Sequence, residues 1–494
     1  MSLQEKSTGF KRELGLLDST MIVVGSMIGS GIFIVSADIA RTVGSSGLLL
    51  LVWLITGVIT LIGALSYGEL ASLMPFAGGQ YVYIREAYNP LVGFLYGWTL
   101  FLVIQTGTIA AVAVAFAKYT GVIIPWFSPG NVLLNLAGLK ISAAQLLAIV
   151  SVVFLTFVNV GGVKEGRFVQ NIFTVSKTIA LLGLIVLGFI IGSNAEVISA
   201  NFTDMWSAKQ IHLKNGLIDV IEPLAGFAVI AAIGTAMVGS LFSSVAWENI
   251  TFIAAEVKDP KKVIPWSLFL GTMIVTVLYI LANVAYLVVL PLQGDPSANS
   301  VAGMGIQFAA EDRVGTAAAH FIFGDVAVAA MAVLIMISTF GCNNGLILAG
   351  ARVYYAMAKD NLFFKVTGEL NSKSVPAKAL WIQAIWTSLL CLSGTYGQLL
   401  DYVVCTVLIF YILTIAGVFI LRKRMPDAER PYKAFGYPYL PALYIFLAAS
   451  ISIILLIYKP DSTWPGLVIV ALGIPVYFIW NKFRSKSEVK NPVV

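Results

Sequence analysis

Two long hydrophobic segments of this chain are interrupted in the middle by runs of small residues. The first interruption covers residues 25–33, with the sequence GSMIGSGIF, and the second covers residues 239–247, with the sequence GSLFSSVAW. Non-helical backbone is tolerated at membrane depth only where protein or a water-filled cavity covers it. A matched pair of interrupted spans also points to the central site of a secondary transporter. The interruptions therefore predict two broken helices that meet at a buried site.

The composition places the chain in a membrane. Of its 494 residues, 59% are hydrophobic and 11% are charged, whereas soluble domains carry about 25% charged residues. Its apolar runs last about 20 residues, which indicates helices rather than the roughly 10-residue strands of a barrel. We predict about twelve spans, at residues 19–43, 47–72, 90–119, 142–162, 168–192, 222–256, 264–292, 321–358, 379–397, 400–421, 440–458 and 464–481.

The interruptions fall in the first and the sixth predicted spans. Each repeat then holds five spans, and because five is odd the second copy is inverted relative to the first. The sequence therefore predicts an all-α membrane protein with a five-plus-five inverted repeat and a site near the bilayer midplane. The expected organisation is an N-terminal tail (1–18), a ten-helix transport core (19–421), a connector (422–439), two peripheral helices (440–481) and a C-terminal tail (482–494).

The distribution of basic residues predicts the topology. When loops are assigned to alternating sides, 23 of the 31 Lys and Arg residues fall on one side and seven on the other, while Lys177 lies inside a span. By the positive-inside rule, both termini are expected in the cytoplasm and the chain in the plasma (inner) membrane. The net charge of +6 is thus explained as an insertion signal, and we expect membrane lipid but no nucleic acid as a partner.

Broken helix ends supply the chemistry that a zwitterion needs. Exposed N–H groups carry a partial positive charge that suits a carboxylate, and exposed carbonyls suit an ammonium. In the first break, Gly29 and Gly31 allow close backbone approach, and Ser26 and Ser30 add hydroxyl groups. A plainer interpretation also stands, because Gly25 and Gly29 form a small-xxx-small pattern that is typical of helix packing.

Four polar or aromatic positions follow in the later spans. Phe242 and Trp247 flank the second break and are candidates for a lid over a midplane site, or for ordinary packing. Glu248 is an intramembrane carboxylate, which is functional by default, unless it sits in water at a cavity edge. Asn344 either lines the substrate path or bonds a neighbouring helix.

Lys177 is the most informative single residue. It lies near the start of an otherwise apolar span, in the sequence NIFTVSKTIA at residues 171–180. A buried ammonium there would occupy the place that a sodium ion takes in sodium-coupled transporters of this architecture, or it would carry a proton. The competing interpretation is a lysine that snorkels to the cytoplasmic interface.

Few residues support any other chemistry. The two histidines, His212 and His320, are isolated, and the three cysteines fall in predicted spans, where they are typical packing thiols. The sequence contains no Gly-rich phosphate loop and no Ser-His-Asp set. We therefore expect no enzyme, no cofactor and no metal site.

The sequence resembles a known family along residues 10–480. Residues 25–33, 52–70 and 78–83 are similar to the first spans of the amino acid–polyamine–organocation transporters. Within that superfamily, residues 167–177 and 430–433 resemble the L-type amino acid transporters. The resemblance implies the inverted-repeat fold with broken helices 1 and 6, and the transport of amino acids.

The resemblance also implies roles for particular residues. Backbone carbonyls near Val23, Phe242 and Ser243 would hold the substrate ammonium, with Phe242 as the external gate. Lys177 matches the lysine that replaces a sodium ion, which implies sodium-independent transport. The substrate carboxylate would be held by five residues of the first break: Ser26, Met27, Gly29, Ser30 and Gly31.

Two departures from the family pattern refine this expectation. Val245 and Met27 narrow the side-chain pocket, so bulky aromatic substrates are not expected. The loop at about 120–141 contains no cysteine, so no disulfide-linked heavy chain is expected and the chain resembles a stand-alone, prokaryote-like member.

The expected function is sodium-independent transport of neutral L-amino acids by alternating access, as an exchanger. Three alternatives remain open at this point. One is a proton-coupled symporter in which Lys177 or Glu248 carries the proton. Another is a carrier of cationic amino acids or polyamines, with Glu248 recognising the additional charge. The third is an amino acid sensor that does not transport.

Overall fold

The computed structural model describes residues 10–136, 139–214, 217–393 and 396–490. These residues are mostly helical, which confirms the predicted all-α fold. The helices are α1 (Leu16–Met27), α2 (Ser36–Val43), α3 (Ser46–Leu73), α4 (Gln80–Ala87), α5 (Pro90–Thr99), α6 (Gln105–Ile123), α7 (Ala143–Val160), α8 (Val163–Ile190), α9 (Ala195–Phe202), α10 (Phe227–Ser243), α11 (Asn249–Phe252), α12 (Pro260–Val289), α13 (Val301–Met304), α14 (Val314–Phe323), α15 (Asp325–Lys359), α16 (Ala377–Ser393), α17 (Tyr396–Arg424), α18 (Tyr439–Tyr458) and α19 (Pro460–Lys490).

Two small hairpins and several short turns connect these helices. Strands β1 (Val132–Leu136) and β2 (Leu139–Ser142) form one antiparallel hairpin, and β3 (Lys209–Lys214) and β4 (Leu217–Pro223) form the other. A five-residue π-helical segment, Leu100–Ile104, joins α5 to α6. The 3-10 turns are Gly31–Phe33, Pro125–Phe127, Ala254–Glu256, Ala310–Asp312 and Lys365–Gly368.

The set of membrane spans agrees with the prediction of about twelve. Nine helical segments in the described part of the chain are long and apolar enough to cross a membrane. The shorter apolar helices α1, α10 and α16 supply the first, sixth and ninth spans. The eighth span differs slightly from the prediction: Gly324 has a φ of +70° and separates α14 from α15, so this span begins at Asp325 rather than at residue 321.

Both predicted breaks are present. Helix α1 ends at Met27 because Ile28 turns to extended backbone, and a 3-10 turn then leads to α2. Helix α10 ends at Ser243, and Ala246 adopts a left-handed φ of +71° before α11 begins. A non-glycine residue in that region is uncommon. The surrounding packing therefore has to hold the second break in place.

The helix packing repeats after five spans. Each of α3, α6 and α7 packs directly against its counterpart five spans later, which is α12, α15 and α16 respectively. Helix α8 packs against α1, α12 and α15, and its counterpart α17 packs against α10, α3 and α6. This correspondence supports the five-plus-five arrangement and places the two breaks side by side at its centre.

Several connecting elements were not predicted. The stretch at 193–221, which lies between the fifth and sixth predicted spans, contains α9, β3 and most of β4. Asn-Gly at 215–216 is a typical two-residue hairpin signal, although those two residues lie outside the described part of the chain.

Helix α19 continues to Lys490, beyond the predicted limit at 481. Residues 1–9 and 491–494 of the two predicted tails also lie outside the described residues.

Candidate functional site

The ammonium of Lys177 lies on the carbonyl groups of the first break. The side chain is 1% exposed, so it does not reach an aqueous interface. Its Nζ donates to the carbonyl of Gly25, to that of Ile28 at 2.5 Å and to that of Ser338 on α15 at 3.5 Å. Main-chain carbonyls that face one point are the ligand set that hard cations such as sodium prefer. The lysine thus occupies a cation position made by α1 and α15.

Side chains of α15 complete the support of the first break. Ser338 Oγ lies 3.2 Å from the carbonyl of Ile28 and 3.1 Å from that of Gly29, and donates to one of them at a time. The thiol of Cys342 donates to the carbonyl of Ser26 at 3.0 Å. A helix end exposes carbonyls that need donors, and here protein groups supply them. Sequence reasoning did not identify either role, because Cys342 has the signature of a packing thiol and Ser338 belongs to no motif.

Tyr279 of α12 connects the two breaks. Its hydroxyl lies 3.0 Å from the carbonyl of Met27 and 3.0 Å from the carbonyl of Ser243. Those carbonyls belong to the last residues of α1 and α10, where the helix dipoles are negative. A hydroxyl carries one proton and therefore donates to one of these carbonyls at a time. Tyr279 was missed because a tyrosine in an apolar span has no distinguishing pattern.

The two breaks touch each other at Gly31 and Ser243. A side chain at Gly31 would place its Cβ 2.0 Å from Ser243 Oγ and 3.2 Å from Ser243 Cα. Glycine is therefore required at this position by the close approach of α10. Ser243 Oγ donates back to Gly239 at 2.8 Å, and Phe242 beside it is buried. The predicted residues Gly31, Phe242 and Ser243 are thus brought together.

The backbone of the first break offers donors as well as acceptors. Within the described residues, the N–H groups of Gly29, Gly31 and Ile32 have no hydrogen-bond acceptor. Ser26 Oγ is also buried without a partner there. Unsatisfied N–H groups at the start of a helical segment are suited to an anionic group such as a carboxylate. Ser30 and Met27 are buried in the same segment. Val23 lies one turn earlier, inside α1, and not at the break.

The second break rests on aromatic rings. The Trp247 ring lies 4.7 Å from that of Tyr67 and 5.2 Å from that of Tyr411, measured between centroids. Val245 is half-buried and, together with Thr60 and Tyr411, lines a cavity of about 10 Å³. That volume holds about one water molecule.

Glu248 lies among tyrosines rather than beside a cation. The side chain is 4% exposed, and its Oε2 has no hydrogen-bond partner in the described residues. It interacts electrostatically with four buried tyrosines, Tyr67, Tyr96, Tyr411 and Tyr444. No Lys or Arg of the described residues forms an ion pair with it. Glu248 is therefore a buried carboxyl group whose charge is not balanced by a Lys or Arg of the described residues.

Asn344 takes part in helix-to-helix bonding. Its amide oxygen accepts from Asn159 of α7 at 2.9 Å, and its amide nitrogen donates to Gly166 at 3.0 Å and Gln170 at 3.2 Å on α8. The carboxamide is thus occupied by neighbouring spans. This geometry favours the packing interpretation of Asn344 over a lining role.

Two broken helices joined at a buried polar centre, inside a repeated bundle, define the class of secondary transporters. The model of the amino acid permease family matches residues 14–479. The chain belongs to this family, within the amino acid–polyamine–organocation superfamily, and its relatives are amino acid transporters rather than enzymes.

Several relatives resemble this chain over almost its whole length. The "large neutral amino acids transporter small subunit 2" of Mus musculus is 31% identical over 490 residues, 98% of this chain and 84% of the relative. The "serine/threonine exchanger SteT" of Bacillus subtilis (strain 168) is 30% identical over 486 residues, 98% of this chain and 100% of the relative. The "Asc-type amino acid transporter 1" of Mus musculus is 29% identical over 479 residues, 97% of this chain and 83% of the relative.

Proposed function

We propose that this protein is a sodium-independent exchanger of neutral L-amino acids. The observation that carries the proposal is the ammonium of Lys177 on the carbonyls of Gly25, Ile28 and Ser338. A covalently attached cation at this point removes the requirement for a dissolved one. A fixed ammonium also removes the coupling to a sodium gradient, and in the proposed exchange an amino acid on the opposite side supplies the return step.

The class of substrate follows from the groups at the breaks. The unsatisfied N–H groups of Gly29 and Gly31 suit a carboxylate, and the carbonyls of Met27 and Ser243 suit an ammonium group. These backbone groups recognise the part common to all amino acids, and Val245 and Met27 restrict the space for the side chain. The named substrates of the relatives, large neutral amino acids in one and serine and threonine in another, support a neutral side chain.

Proteoliposomes containing the purified chain test the proposal. Uptake of labelled leucine, alanine and serine is measured in sodium-free buffer, with and without unlabelled amino acid inside. We expect uptake only into preloaded vesicles and no increase when sodium replaces potassium outside. Stimulation by sodium would contradict the role of Lys177, and competition by arginine or putrescine stronger than by leucine would contradict the neutral substrate class.

A proton-coupled symporter is the second candidate, and the buried carboxyl group of Glu248, which has no Lys or Arg partner among the described residues, favours it. A buried carboxyl group without a cation is costly to ionise, so it is suited to binding and releasing a proton. An inward proton gradient imposed on empty vesicles distinguishes this function from exchange. Symport predicts uptake that follows the gradient and is lost in Glu248→Gln, whereas exchange predicts none in either protein.

We also propose how the chain is arranged in the membrane. We place both termini in the cytoplasm of a plasma-membrane protein, with residues 19–421 as the transport core and residues 440–481 as peripheral helices. The chain is proposed to act without a disulfide-linked heavy chain, because its loop at 120–141 has no cysteine. Activity of the purified chain alone in proteoliposomes would support this, and a strict requirement for an added partner would contradict it.

A further inference from the structure

A second cavity lies away from the broken helices, on the side predicted to face the exterior. It has a volume of about 230 Å³ and is enclosed by the end of α6, by α13 and α14, and by the start of α15. Val122, Met304 and Val328 form apolar walls. No residue of either break lines it, so it is distinct from the site described above.

One face of α14 supplies the polar groups of this cavity. Thr316 and His320, four residues apart, lie on the same side of α14, and Arg313 immediately precedes the helix. All three line the cavity. Thr316 is 8% exposed, and its Oγ1 has no hydrogen-bond partner in the described residues. The Nδ1 atom of His320 is likewise buried without a partner there. Buried polar groups are normally hydrogen-bonded, so these two point to a ligand.

The charges around the cavity are of both signs. The guanidinium of Arg313 lies 3.3 Å from Glu311, and Nε2 of His320 lies 3.0 Å from the carboxylate of Asp325 at the cavity mouth. A simple anion would meet Asp325, and a simple cation would meet Arg313. A ligand with both charges is complementary to the arrangement, with its carboxylate towards Arg313 and Thr316 and its ammonium towards Asp325.

The volume restricts the ligand further. Pockets for drug-sized ligands measure about 300–1,000 Å³, so a cavity of about 230 Å³ suits a smaller molecule. Apolar walls opposite the polar face favour a ligand with a short aliphatic side chain.

We propose that this cavity is an accessory external site for a zwitterionic neutral amino acid. The choice of ligand rests on the proposed function, whereas the site itself rests on the cavity and its unpartnered groups. Helix α14 also touches the first broken span, since a Cβ at Gly315 would lie 2.7 Å from the ring of Phe33. A bound amino acid therefore bridges α6, α14 and α15 beside the outer part of that span.

The number of bound ligands tests the proposal. Equilibrium dialysis of the purified full chain with labelled leucine is expected to give two leucines per wild-type chain. Ala317→Phe fills the accessory cavity, and Gly31→Val forces the two breaks apart, so each variant is expected to bind one. Thr316→Val removes the unpartnered hydroxyl with little change in volume and is expected to weaken leucine binding at the accessory site about tenfold. This variant tests the site even if the bulkier Ala317→Phe disturbs folding.

The outcomes separate this proposal from the proposed function. One leucine per wild-type chain that is lost in Gly31→Val and kept in Ala317→Phe overturns the accessory site and supports the central one. One leucine that is kept in Gly31→Val and lost in Ala317→Phe supports the accessory site and contradicts binding at the central one.

Ligand analogues test the zwitterion directly in the Gly31→Val variant. Leucine is expected to displace the label at least tenfold better than 4-methylpentanoate, which lacks the ammonium, or isoamylamine, which lacks the carboxylate. Equal displacement by either analogue would overturn the assignment. His320→Gln is expected to weaken binding, whereas His212→Gln, which changes the other external histidine outside this cavity, serves as the matched control.

Discussion

The two breaks are held by different kinds of interaction. At the first break, hydrogen bonds from Lys177, Ser338 and Cys342 bind the carbonyls of the broken segment to α8 and α15. At the second break, Trp247 packs against the rings of Tyr67 and Tyr411, and Tyr279 supplies a hydroxyl. The second segment is anchored instead near its far end, where Glu256 pairs with Arg352 of α15.

This difference has mechanical consequences. A buried hydrogen bond is either made or lost, at a substantial cost when one partner remains unsatisfied. Aromatic packing has no such directional requirement, so rings shift against each other at low cost. We therefore expect the first break to act as a fixed binding frame. We expect the second, which is held at the break mainly by aromatic packing and has its buried ion pair at Glu256, to move more easily during transport.

The largest effect is expected where the second segment is anchored. Arg352 and Glu256 are both buried, and Arg352 Nε donates to Glu256 Oε1 at 2.9 Å. Arg352→Ala leaves a buried carboxylate without its cation, which typically costs about 3–5 kcal/mol. Thermal unfolding in detergent should show a large loss of stability. Lys378→Ala, which breaks a pair with the exposed Glu369, should cost about 0–1 kcal/mol.

A double substitution provides a control for the Arg352 result. Replacing both partners by apolar residues, as in Arg352→Met with Glu256→Leu, removes the unpaired charge and should restore much of the stability. If Arg352→Ala unfolds at the same temperature as Lys378→Ala, the ion pair with Arg352 does not anchor Glu256.

The next largest effect is expected at the fixed break. Lys177→Met keeps the bulk of the side chain but leaves the carbonyl of Gly25 without its donor and that of Ile28 with only Ser338, at about 1–3 kcal/mol for an unsatisfied group. Exchange of labelled leucine should fall by about 100-fold. Lys118→Met, on the predicted external side, should have little effect. Near-normal exchange by Lys177→Met at unchanged leucine affinity would refute the fixed-cation role.

A smaller effect is expected where one side chain touches both breaks. Tyr279→Phe removes the hydroxyl between Met27 and Ser243, and one hydrogen bond contributes about 0.5–1.5 kcal/mol. The apparent leucine affinity should weaken by roughly two- to tenfold. Tyr286→Phe, seven residues later on the same helix, loses only a 3.3 Å contact with the carbonyl of Ile32 and is the matched control. An equal effect of both variants would show that Tyr279 has no special connection to the two breaks.

The smallest effect is expected at Glu248 if the protein is an exchanger. Glu248→Gln keeps the shape of the side chain and removes its ability to ionise, and exchange in preloaded vesicles should change by less than about twofold. The exposed Glu429→Gln is the control. A loss of activity above tenfold, together with loss of its dependence on pH, would instead support the proton-coupled alternative.

Part of the architecture could be predicted from local sequence. Long apolar runs specify membrane helices because the bilayer leaves no partner for free backbone groups, and small residues within two of those runs marked the breaks at 25–33 and 239–247. The connecting elements were not predictable to the same degree. Helix α9 and the hairpin β3–β4 depend on a short turn signal within a polar stretch, and Gly324 divides a run that reads as continuous in apolar composition.

The sequence by itself determined the class of protein, the position of both breaks and the presence of Lys177 in an apolar span. The tertiary structure alone decided that Lys177 reaches Gly25 and Ile28, that Asn344 is occupied by α7 and α8, and that Tyr279 stands between α1 and α10. The physical reason is that helical periodicity assigns a residue to a face of its own helix. Which neighbour that face meets depends on how twelve spans pack together, and local sequence does not encode that.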